Sequence, residues 1–178
     1  MGRTGKMFAM EHFGVAPDII ALAKGIASGL PLGAMMAPAR IMDWEAGSHA
    51  STFGGNPLAC QAALATIDLL EESLMANAGL QGERLMGGLR QMQGRFECMG
   101  DVRGKGLMVG VELVKDRERK TPAADWRSRI IQRAFEKGLL ILGCGQNSIR
   151  FCPALTVSPD EIDVCLSIFE ECVQEVAG

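Results

Sequence analysis

Pro17-Asp18-Ile19-Ile20-Ala21-Leu22-Ala23-Lys24-Gly25 is an apolar, strand-like run that stops abruptly on a lysine. A second short apolar run, Ala34 to Ala37, follows across the Gly- and Pro-bearing stretch Gly25 to Gly33. Two strands joined by a turn that carries a lysine at its start are the germ of an α/β layer. A lysine ending a buried strand loses solvation, which favours the neutral amine that can attack a carbonyl. The plainer alternative is a surface lysine closing a strand, since lysines are mostly exposed. Spacing alone favours the surface lysine.

Working outward, Pro38 begins a predicted short helix through Trp44, and Gly47 to Asn56 reads as a polar, glycine-bearing loop. Pro57 suits the first turn of a helix predicted to run to about Ala76, with alanines at 59, 62, 63 and 65 allowing close packing. Leu80 to Phe96 keeps helical spacing, although Gly87-Gly88 weakens it. The pattern then changes period. Leu107, Val109, Val111 and Leu113 alternate as in a half-buried strand, Asp125 to Lys137 forms a helix closed by Gly138, and Leu139–Leu142 and Ser148–Phe151 are short strands. Ser158-Pro159-Asp160-Glu161 is a capping box with proline at the first helical position, so a terminal helix follows. This order predicts an α/β unit followed by an α+β unit.

The 178 residues suffice for one large or two small domains. Apolar residues make up 48% and charged residues 22%, which excludes a disordered tail, and a net charge of −3 without a basic block argues against nucleic acid. No apolar run approaches a bilayer span and no signal peptide opens the chain, so a cytoplasmic location is expected. The six cysteines contain no CxxC and match no zinc spacing; they read as reduced, buried thiols, and no metal is assigned.

Four motifs narrow the reading. Gly2-Arg3-Thr4-Gly5-Lys6-Met7-Phe8-Ala9 leads through Ala23-Lys24-Gly25 to Gly29-Leu30-Pro31-Leu32-Gly33-Ala34; Ser51-Thr52-Phe53-Gly54-Gly55-Asn56-Pro57 follows, then Val102-Arg103-Gly104-Lys105-Gly106, then Ile149-Arg150-Phe151. In this order they resemble the C-terminal portion of class III aminotransferases, pyridoxal-phosphate enzymes of fold type I, over nearly the whole chain. The resemblance implies that residues 1–76 are the C-terminal portion of the cofactor-binding large domain with its linking helix, and residues 77–178 the C-terminal small domain.

It also implies roles. Lys24 is the residue expected to hold pyridoxal 5'-phosphate as a Schiff base, to be displaced by the substrate amine, and then to move the substrate's proton. Thr52 is expected to donate its hydroxyl to the cofactor phosphate of the partner subunit, which requires a homodimer; an ST-turn or helix-cap role is the alternative. Arg150 is expected to grip a substrate carboxylate with two prongs, against a structural ion pair as the alternative. His12 is read as satisfying a local hydrogen bond, His49 as a weak candidate for the pocket, and Arg103 as ordering a turn.

Leu139 to Arg150 is most similar to 4-aminobutyrate aminotransferases, implying an ω-amino donor and 2-oxoglutarate as acceptor. Gly100 to Gly104 also resembles dialkylglycine decarboxylases, and acetylornithine and ornithine aminotransferases stay open. Family members are usually more than twice this length, and their N-terminal half supplies a phosphate loop, a stacking aromatic and an acid for the pyridine nitrogen. The expectation is therefore that Met1 is an internal methionine and that this chain alone is a weak or inactive catalyst. A non-catalytic fragment that pairs with a full-length subunit is the reading from another class.

Overall fold

The computed structural model describes residues 1–178. It divides into two compact units: Met1–Gly2 with Lys6–Leu74, and Arg3–Gly5 with Met75–Gly178. No helix is long and apolar enough to cross a membrane.

The first unit holds an antiparallel pair, β1 (Ile20–Leu22) and β2 (Ala34–Met36), in the register Ile20↔Met36 and Leu22↔Ala34. Between them, Lys24–Ala27 makes one 3-10 turn. Helix α1 (Pro57–Leu69) starts where its sequence says it should. The Asn56 side chain accepts from the Leu58 and Ala59 N–H groups at 2.9 and 3.3 Å, and Pro57 takes the position where an N–H is not needed. The core is small, Ile26, Ala27 and Ala63, with Met1, Leu22, Leu32 and Ala62 packed on it. Ser28 and Thr66 hydroxyls add a 2.8 Å bond.

Two expectations fail in this unit. Pro38–Trp44 is not a helix but consecutive turns, with Ile41 and Met42 N–H groups donating to Pro38 and Ala39 carbonyls. A seven-residue helix needs an apolar face to bury, and Met42 and Trp44 are exposed. Nor does the helix from Pro57 end near Ala76: a π-helical turn at Leu70–Leu74 carries it directly into the helix Met75–Arg95.

The second unit is a sheet covered by helices. Its order is β3-β4-β7-β6, with β3 (Met99–Lys105), β4 (Met108–Asp116), β6 (Leu142–Cys144) and β7 (Ser148–Phe151) all antiparallel, and β5 (Thr121–Pro122) pairing with β4. Helices α2 (Met75–Arg95), α3 (Ala124–Glu136) and α4 (Pro159–Ala177) supply the other half of the core. The capping box is formed: Ser158 N–H donates to Glu161 Oε2 at 2.8 Å, and Glu161 N–H returns to Ser158 Oγ at 3.2 Å. α2 runs unbroken through Gly87-Gly88, and a Cβ on Gly88 would meet Leu166 Cδ1 of α4 at 2.4 Å, so a larger residue there would force that leucine to move. Arg117 closes the C-terminal end of α2, donating from Nη2 to the Phe96 and Met99 carbonyls at 3.0 and 3.2 Å and also to Gln93 O.

Strand β3 went unread because it does not alternate. Only Met99 and Val102 are buried, and the strand is held by its pairing to β4. Arg103 accordingly lies in a strand opposite Gly110, with Asp101 as its ion partner at 2.8 Å, and not in a turn. The strand expected at Leu139–Leu142 starts only at Leu142, where β7 supplies its ladder.

Candidate active site

Lys24 lies two residues past β1 and opens the 3-10 turn. Its φ is +57°, a left-handed conformation that a side chain with a Cβ rarely adopts. Such strain persists only where its surroundings enforce it, and it collects at functional positions. Here the next turn enforces it: Ile26 N–H donates to Ala23 O, and Ile26 and Ala27 are anchored in the small core. The loss of solvation expected for this lysine is absent. β1 is only half-buried and Lys24 is exposed between exposed Ala23 and Gly25.

Thr52 is exposed in the loop before α1. The local jobs open to it are done by its neighbours. Ser51 Oγ accepts from Gly54 N–H at 3.1 Å, closing the turn, and Asn56 caps the helix. Gly55, at φ +72°, turns the chain into the cap. His49, by contrast, packs edge-on against Trp44 with ring centroids 4.7 Å apart, and His12 sits 6.5 Å from Phe13.

Arg150 belongs to the second unit, on β7 between β4 and β6, opposite Gly110 and Leu142. It is half-buried, forms no ion pair, and its Nε is buried without a hydrogen-bond partner. It lines a cleft of about 620 Å³ whose other walls are mostly apolar, including Leu85, Leu142, Phe151 and Ile162. A charged group with a buried, unanswered donor is costly unless something answers it. A planar, two-pronged anion such as a carboxylate has the matching geometry.

Two residues around Arg150 escaped the sequence reading. Arg127 on α3 donates from Nη1 to Gly145 O at 3.0 Å, and its side chain covers Gly143 of β6. Arg3 donates from Nη1 to Pro153 O across 150 positions of sequence. The only available signal was the presence of arginine in otherwise glycine-rich or helical segments, which is weak.

The residues present fit pyridoxal phosphate: the exposed Lys24 offers an unpaired amine for the aldehyde, and the exposed Thr52, in the loop that leads into the Asn56 cap, offers a hydroxyl suited to the phosphate of a second cofactor.

Comparison with known proteins agrees. The family model "Aminotransferase class-III" matches residues 1–173. The chain is 46% identical over 178 residues to a leucine/methionine racemase of Thermococcus litoralis, covering 99% of this chain and 40% of that protein. It is 40% identical over 178 residues to the 4-aminobutyrate aminotransferase GabT of Escherichia coli, covering 98% of this chain and 42% of GabT. An amine transaminase from an uncultivated Pseudomonas species, solved in its PLP-bound form, superposes with a TM-score of 0.89 at 39% identity, over 98% of this chain and 42% of that one. The chain belongs to the class III aminotransferase family, whose cofactor is pyridoxal phosphate. It spans about two fifths of the length of the relatives it matches.

Proposed function

We propose that this chain is the lysine-bearing part of an aminotransferase that moves an amino group from an amino acid, with an ω-amino acid such as 4-aminobutyrate as donor, to 2-oxoglutarate. The observation that carries the reading is Lys24, held at φ +57° with a free amine inside the family's Ala-Lys-Gly motif. When bound, pyridoxal phosphate supplies the aldehyde that joins an amine and the ring that takes up electron density.

The chain's own residues divide the remaining work. Lys24 Nζ holds the cofactor and, once released, carries the proton to and from the substrate carbon that bears the nitrogen. One group does both because the amine is already at the reacting atom. Thr52 Oγ1 donates to the phosphate held by the partner subunit of a homodimer, free to do so because Ser51 and Asn56 serve the loop. Arg150 orients the substrate by its carboxylate through the guanidinium it presents to the cleft.

The 46% identity to a leucine/methionine racemase supports a second reading, an amino-acid racemase on the same framework. The two differ in stoichiometry: a racemase interconverts enantiomers without an acceptor, whereas the transaminase consumes one 2-oxo acid per amino group.

Incubation with pyridoxal phosphate, borohydride reduction and peptide mass mapping test the proposal. Label confined to Lys24, and lost in Lys24→Ala, is expected. Label scattered over the six lysines, unchanged in Lys24→Ala, would remove the chain from cofactor chemistry.

A further inference from the structure

The Gly2-Arg3-Thr4-Gly5 motif has no part in the chemistry above. Only three of its residues, Arg3–Gly5, pack as members of the second unit, while Met1–Gly2 and Lys6 onward belong to the first. The strap they form runs through a passage built of glycines. A Cβ on Gly82 of α2 would lie 2.3 Å from the Gly106 carbonyl carbon; one on Gly106 would lie 2.6 Å from the Thr4 carbonyl carbon; one on Gly5 would lie 3.3 Å from Gly79 Cα. Gly106 also sits at φ +51°, so it is required for its conformation as well as for the space. Leu107 N–H donates to Arg3 O at 2.9 Å, pinning the strap to the β3–β4 turn.

From that fixed backbone the Arg3 side chain, itself half-buried, reaches Pro153 O. Pro153 stands three residues after Arg150, where the chain has left β7, and Cys152, Pro153 and Ala154 form a wall of the cleft that Arg150 lines. Beyond Phe151 no β-ladder bond holds this wall. Val157 N–H donates to Ala154 O at 3.1 Å and Asn77 Nδ2 to the Leu155 and Val157 carbonyls at 2.7 and 3.0 Å, while Arg3 supplies the charged donor on Pro153 O, nearest to Arg150 in sequence. At the other end of the strand, Arg127 grips Gly145 O.

We infer that Arg3 is a positioning residue for carboxylate recognition: it fixes the chain that follows β7 and thereby sets the cleft wall against Arg150. This rests on the reading of Arg150 as the carboxylate's partner. Arg3 does not touch the substrate. Its effect passes through Pro153, and so appears as a change in how well a carboxylate is gripped.

The test is titration of the full ¹⁵N-labelled chain with 2-oxoglutarate, following the Arg150 Nε–H resonance and the amides of residues 150–154, with a melt of each variant. Arg3→Ala is expected to weaken binding about ten-fold, the scale of losing one well-placed charge-assisted hydrogen bond, and to displace those amides. Arg3→Lys, which keeps a charged donor, should recover part of both. A lower melting point with unchanged affinity and unmoved amides would make Arg3 a brace only and overturn the inference. If the unsubstituted chain binds no 2-oxoglutarate, or binds it equally well as Arg150→Lys, the reading of Arg150 fails separately. The amides of residues 150–154 then decide Arg3: displaced in Arg3→Ala and restored in Arg3→Lys, they uphold its hold on the wall; unmoved, they refute it.

Discussion

The two units of this chain differ most in how much of their apolar surface they bury themselves. The second encloses Leu85, Leu89, Leu107, Leu113, Ile130, Ile149 and Phe169 almost completely. The first gathers only Ile26, Ala27 and Ala63 into a cluster, while Leu58 is 75% exposed and Phe13 71%. Yet the first carries the lysine on which the proposed chemistry depends. The difference teaches that motif and stability are separate properties: Lys24 keeps its strained backbone on a two-stranded ribbon, a structure that is marginal without further cover. Apolar side chains of the first unit lack a surface within this chain to pack against.

Hydrogen exchange gives the sharpest means of breaking this contrast. Amides of β4 such as Val111 and Leu113 should exchange only through global opening, whereas those of β1 and β2 should exchange orders of magnitude faster through local opening. Equal protection in the two units would abolish the distinction.

A core truncation in each unit sharpens it. Phe169 is fully buried and stacks edge-on against Phe151 with centroids 5.0 Å apart. Phe169→Ala should lower the unfolding free energy by about 3–5 kcal/mol, through lost burial and the cavity left behind. Ile26→Ala removes fewer atoms from a cluster that can collapse around the gap, and should cost no more than about 2 kcal/mol. The two tryptophans make the measurement practical. Trp44 lies in the first unit and Trp126, beneath Lys115, in the second, so single-tryptophan variants report urea unfolding of each.

What was legible followed the range of the interactions involved. The Ser158–Glu161 box, Pro57 behind Asn56, and Gly138 closing α3 are local chemistry, and the elements they bound lie where the sequence places them. Strand β3 was invisible because its glycines and charges are made a strand by β4, not by their own pattern. Pro38–Trp44 failed for the opposite reason: a good helix start with nothing to bury against. At the site, motifs marked Lys24, Thr52 and Arg150, but no local pattern could announce the left-handed backbone of Lys24 or the buried Nε of Arg150. Arg3 was hardest, since its partner lies 150 residues away.

The smallest expected effect concerns the thiols of the compact unit. Burial pushes the Cys165 thiol up from an ordinary value of 9.0 to about 11, and burial raises Cys98 and Cys172 in the same direction. The sign follows from proton counting. Between pH 9 and 11 the unfolded chain releases a proton from Cys165 that the folded chain retains, so the contribution is complete below pH 9 and is lost as pH rises toward 11. Cys165 should account for at most about 2 kcal/mol of that alkaline loss. Urea midpoints at pH 8 and pH 10.5, read from Trp126, should therefore converge in Cys165→Ala, with a residual slope from Cys98 and Cys172. The Trp44 signal should not share this slope, because none of these three thiols belongs to the first unit. An equal alkaline slope in both signals would mean that the units do not unfold separately, and the contrast between them would be one of appearance only.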